Sequence, residues 1–208
     1  MFASSDATLV GNVTLGDGNV TATSLALNTG AVLAVSGNTL TLNGVSLSGA
    51  GTLSGAGLVR MQATSTISAS GTYNAPFEIN SGTTTGSGTL GGPLTILSGA
   101  TLNTSNQSFI LDGDLTINAG GTATKTSNTF SAGGANIVNN GTITGGAFNF
   151  TRSGIQNLSG SGTLTAAITI LAGSITTLTS DVTFGNGIAA TSLALNTGGI
   201  LLPSGATR

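Results

Sequence analysis

Asp112-Gly113-Asp114 is the one place in this chain where two carboxylates stand close together. With Asn118 just downstream they offer up to three oxygen ligands, the chemistry of a hard cation such as Ca²⁺. Calcium takes six to eight oxygens, and the calcium-binding nonapeptide repeat of some β-helices is missing here. A polar turn is the better reading. The other acids, Asp6, Asp17, Glu78 and Asp181, are scattered. Acid/base chemistry on a polysaccharide needs paired carboxylates. The chain has no His and no Cys. That removes the usual general base, the thiol nucleophile, disulfides and His/Cys metal centres. The glycine-rich string GSGTLGG (86–92) lacks the Lys-Ser/Thr and the following helix of a phosphate loop, so it reads as a corner. No catalytic, cofactor-binding or metal-binding residue is assigned, and the expectation is a non-enzyme without cofactors.

Hydroxyls are the group this chain has in abundance. Thr-x-Thr triplets occur at 21–23, 39–41, 64–66, 83–85, 122–124, 142–144, 163–165 and 177–179. In a strand the two outer Thr share one face and the middle residue takes the other. Stacked flat, a file of such triplets resembles the regular hydroxyl array of ice-binding β-solenoids. The steps from one triplet to the next are too uneven for one clean file. Exposed strands also favour Thr in any case. Ice binding is therefore the alternative expectation. Asn-x-Ser/Thr sequons at Asn12, Asn19, Asn103, Asn106, Asn140, Asn149 and Asn157 follow from a composition rich in Asn, Ser and Thr and are assigned no glycan.

The elements that carry these residues are short strands. Leu25-Ala-Leu27, Thr39-Leu-Thr-Leu42, Leu94-Thr-Ile96, Leu115-Thr-Ile117 and Ile168-Thr-Ile170 alternate apolar with small or polar residues, the period of a half-buried strand. Turn pairs such as Asn43-Gly44, Gly120-Gly121 and Asn140-Gly141 separate them. No helical period is present.

The strands repeat. TATSLALNTGAVL (21–33) returns as AATSLALNTGGIL (189–201), identical at 10 of 13 positions, with Thr23 recurring as Thr191. GSGTLGGPLTILSG (86–99) returns as GSGTLTAAITILAG (160–173), identical at 9 of 14, with Gly86 recurring as Gly160. Fixed offsets mark a stacked repeat. Taken as whole turns, nine and four, they predict coils of about 18.7 residues. One such coil buries too little to fold alone, so stability must come from the stack. A triangular coil of three short strands fits, with Gly at its corners. The expected fold is all-β: a single parallel β-solenoid of about eleven coils over residues 1–208, one domain. Its core is predicted as Leu27, Leu42, Leu53, Leu90, Ile96, Ile117, Ile143, Leu164, Ile170 and Leu195. Residues 21–33 and 189–201 are expected to fold alike, nine coils apart.

Glycine is 34 of 208 residues and charge only 5%, against about 25% in ordinary domains. With 38% apolar residues the chain is not of disordered type. A net charge of −2 gives no footprint for nucleic acid. No apolar run approaches the roughly 20 residues of a membrane helix. The opening MFASSDATLV carries no secretory signal, so a leader, if used, is expected outside this sequence.

GSGTLTAAITILAGSITTL, ILSGATLNTSNQSFILDGDLTINAGG and NNGTITGG resemble the repeats of bacterial autotransporter passengers and filamentous-haemagglutinin-like surface proteins. That resemblance implies a right-handed parallel β-helix, extracellular or on the bacterial surface, serving as stalk, adhesin or matrix fibre. Its partners would be further coils, copies of itself end to end or side by side, or a surface or matrix ligand. A phage-fibre-like subunit is a further alternative. Neither a translocating barrel nor a secretion-recognition head is present in this sequence. The ends MFASSDATLV and LLPSGATR carry no evident cap and are expected to associate end to end.

Overall fold

Alternation of inward aliphatic and outward hydroxyl side chains, broken every few residues by Gly, lets the chain do one thing well: run a short strand, turn, and run another. In the computed structural model it does this along the described residues. The structure describes residues 6–9, 13–15, 24–104, 107–180, 182–184, 193–195 and 197–202. Every element among them is a β-strand, and every strand pairing is parallel. No helix among the described residues is long and apolar enough to cross a membrane. The fold is a β-solenoid with three faces per turn.

Face 1 starts with Asp6–Leu9, Val32–Val35, Thr52–Ser54 and Thr72–Tyr73. It continues through the end of Thr83–Leu90, where Gly91 N–H donates to the Tyr73 carbonyl. Phe109–Leu111, the later parts of Thr122–Ala132 and Thr142–Phe150, then Ala167–Ile170 and Leu193–Leu195 complete it. Face 2 is one unbroken sheet of ten strands from Val13–Leu15 to Ile200–Leu202. Face 3 runs from Ser24–Ala26 through Ser46–Gly49, Ser65–Ala69, Thr101–Asn103 and Thr163–Leu164 to Thr183–Phe184, and takes the first parts of the three long strands. Thr83–Leu90, Thr122–Ala132 and Thr142–Phe150 bend round the corner from face 3 to face 1.

Inside the triangle each face contributes a column. Face 1 stacks Leu33, Leu53 and Tyr73, then Leu90, Leu111, Ala132, Phe150 and Ile170. Face 2 stacks Val59, Phe77, Leu94, Leu115, Ile137 and Leu158. Phe109, Phe130 and Phe148 form an aromatic stair at the face 3–face 1 corner, with ring centroids 5.2 and 4.8 Å apart. The first pair is edge-on, at 90°, and the second tilted, at 57°; edge-on aromatic contact adds to simple burial. Nine of the ten core residues expected from sequence, Leu27 to Ile170, are buried. The side chain of Leu195 lies outside the described residues.

The expected coil length and the count of eleven are corrected. Pairing sets turns that range from about 17 residues, between Phe77 and Leu94, to about 27 residues, between Val13 and Leu40. Eight turns carry Val13 through its successive partners to Leu178, on average about 21 residues each. The reason is that the repeating unit is a face and not a turn. Ser24–Ala26 lies on face 3, whereas Leu193–Leu195, its sequence counterpart, lies on face 1. The two copies are eight turns plus one face apart, not nine turns. Locally they match: a strand, a turn at Gly30 or Gly198 with φ of 82° and 83°, and a second strand. Likewise Leu94–Ile96 is on face 2 and its echo Ala167–Ile170 on face 1. The two repeat offsets therefore span 25 and 11 faces, and both give about 6.7 residues per strand and corner.

Candidate functional site

The carboxylates come first. Asp112 and Asp114 lie in the corner between faces 1 and 2, where Asp112 is exposed. Asp114 is engaged: its two oxygens accept from the backbone N–H and the side-chain amide of Asn136, each at 2.9 Å. Asn136 in turn accepts from Asn157 at 3.2 Å. This is an amide ladder tying three successive rungs. Asn118 sits in the next corner, where its carbonyl accepts from Gly121. Glu78 is held by Arg60 at 2.6 Å on the outside of face 2, one rung apart. Among the described residues no three His, Cys, Asp or Glu side chains converge. Asp17 and Asp181 lie outside the described residues. The string GSGTLGG (86–92) spans a strand and a corner of the solenoid.

The charged residue that sequence analysis passed over is Lys125. It is 3% exposed and turned into the core. Its ammonium reaches the Gln107 carbonyl, at 3.5 Å. Burial lowers its pKa. The signal was present in the alternation: Ala123 points inward, so Lys125, two residues on, must as well. Gln156 is also interior, and its amide donates to the Ala132 and Gly134 carbonyls at 2.9 and 2.8 Å.

The organised feature of the exterior is on face 3. Register places Thr83, Thr101, Thr122, Thr142, Thr163 and Thr183 in one file over six successive rungs. Two residues along the strands, a second file holds Ser46, Thr66, Thr85, Asn103, Thr124 and Thr144. Thr165 extends it, its hydroxyl donating to that of Thr144 at 2.8 Å. Between the files the middle residues Thr84, Leu102, Ala123, Ile143 and Leu164 are buried. The expectation that uneven triplet spacing forbids a clean file is thus overturned. The unevenness lies in the corners, outside the strands. The wide gap between triplets 83–85 and 122–124 spans an intervening rung, Thr101-Leu102-Asn103. Two triplets do lie elsewhere: 39–41 and 177–179 belong to face 2. The triplet 21–23 lies outside the described residues.

Compared with protein-family models, curated proteins and solved structures, the chain matches none.

Proposed function

We propose that this chain is a non-catalytic rod segment of a secreted bacterial surface or matrix fibre or adhesin, lengthened by stacking further coils or copies of itself. The observation that supports this reading is the unbroken ten-strand ladder of face 2 with its continuous apolar column. Each rung buries its side chains against the rungs above and below, so the architecture is one-dimensional and extensible. At about 4.8 Å per rung, ten rungs make a rod of roughly 45 Å. Charge does not oppose end-to-end contact, because little of it exists and the Arg60–Glu78 pair cancels itself. Sizing chromatography and negative-stain electron microscopy of the purified chain test the proposal. The expected result is rods whose lengths come in multiples of one chain, growing with concentration. A single compact monomer at every concentration would count against it.

A further inference from the structure

We propose that face 3 is a binding surface for crystalline water. The two files, hydroxyl at every position from Thr83 to Thr165 except the Asn103 amide, repeat in two dimensions: about 4.8 Å from rung to rung and about 6.7 Å between the files, fixed by strand geometry. A surface with that translational order suits a ligand that repeats on the same scale, and the oxygens of an ice plane do. The register runs straight through both files from the Thr83 rung to the Thr142 rung, and through the first file to Thr163. The register shift in this wall falls between Lys125 and Thr129, beyond the second file.

Charge complementarity points the same way. An ice plane is neutral, and the files are neutral throughout. The described charges lie elsewhere: Arg60 and Glu78 on face 2, Asp112, Asp114 and Arg152 in the opposite corner, and Lys125 turned inward. Among the described residues an ionic ligand therefore has no charge to pair with here. A polysaccharide is the other periodic, neutral candidate, but sugar rings are gripped by exposed aromatic planes. The described aromatic side chains, Tyr73, Phe77, Phe109, Phe130, Phe148 and Phe150, are all buried. The hydroxyls are also held in place before any ligand arrives. β-Branched Thr has few χ1 states, its neighbours in the file restrict it further, and Thr144 and Thr165 are bonded to each other. Little side-chain entropy remains to be lost on contact.

The inference does not depend on the rod reading, since filament growth and ice adsorption are separate measurements. The test freezes a dilute solution of the full chain slowly, measures its partition into ice, and records thermal hysteresis and crystal shape. Wild type is expected to concentrate in the ice and facet the crystals. Thr122→Tyr/Thr142→Tyr, which raises two rings out of the files, is expected to lose activity by roughly ten-fold or more. Thr52→Tyr/Thr72→Tyr, a matched pair on face 1, is expected to keep it. Circular dichroism confirms that each variant is folded. If the face 3 double variant does not fold, Thr85→Tyr at an exposed position takes its place. Wild type excluded from ice, wild type retained on cellulose or chitin but not in ice, or equal losses from face 1 and face 3 variants would each overturn the proposal.

Discussion

Lys125 is the residue where the physics of this core is most exposed to test. An ammonium without a carboxylate partner is costly to bury, and this one has a carbonyl at 3.5 Å. On the rung above, Gly145 pairs with Lys125, and a Cβ there would run into the Lys125 backbone carbonyl. Because burial lowers the folded-state pKa, the unfolded chain binds more protons between that value and the ordinary 10.5. Stability contributed by this group therefore rises with pH across that window. Lys125→Met should be more stable than wild type at pH 7 and should lose the rise. Tyr73, the only tyrosine, works in the opposite direction. Burial pushes its pKa up to about 12, and its hydroxyl donates to the Gly49 carbonyl at 3.1 Å. The folded chain then keeps a proton that the unfolded chain has released. Its contribution is complete below about pH 10 and is lost as pH rises from there toward about 12, on the order of 2 kcal/mol in all. Urea unfolding from pH 6 to 11 should show wild-type stability climbing and then falling. Lys125→Met should remove the climb, and Tyr73→Phe should remove the fall. Parallel profiles for wild type and Lys125→Met would show that the amine is not buried as described.

At the scale of the strand, a face of about seven residues is the interchangeable part. Of the repeated TSLAL, Ser24–Ala26 is a face 3 strand in the first copy and Leu193–Leu195 a face 1 strand in the second. This explains what could and could not be read from sequence. Inward and outward positions alternate identically on every face, so Leu42, Ile96, Ile143 and Ile170 were identifiable as core without knowing their face. The same degeneracy hid the turn length, because nothing in a Leu-x-Ile strand says which face it occupies. Corner lengths then blurred the period further, making the Val13–Leu40 turn half as long again as the Phe77–Leu94 turn. The Thr files were hidden for the same reason: their register is set by backbone pairing across the corners. A deletion distinguishes face from turn. Removing residues 122–141 joins Gly121 to Thr142, the same junction that Gly141 makes in the native chain, and sets Leu102 against Ile143. A whole turn is gone and every later strand keeps its face. Removing only 122–128 leaves one turn short of a face. The first variant should melt in a single cooperative transition close to wild type by circular dichroism, and the second should be grossly destabilised. Equal tolerance of both would mean that face identity is not enforced by the stack.

On the scale of the whole molecule, contacts are almost entirely between neighbouring rungs, so stability is a chain of interfaces rather than one closed core. Damage should then depend on where along the axis it falls. Ile143 is buried, with Ala123 below it and Leu164 above. An aspartate there places an unpaired charge between two rungs and spoils both interfaces, a loss of about 4 kcal/mol or more. Leu25 is also buried, but on the first described rung of face 3, where register gives it a single partner, Leu47. Leu25→Asp should let that rung fray while the rest of the rod holds. Hydrogen exchange read rung by rung separates the two cases. Ile143→Asp should abolish protection on both sides of the lesion and lower the melting midpoint sharply. Leu25→Asp should remove protection only near its own end, with the Thr101–Leu164 rungs unchanged. If both variants lose protection everywhere to the same degree, the rungs are not energetically local, and the extensible rod on which the fibre proposal rests would have to be abandoned.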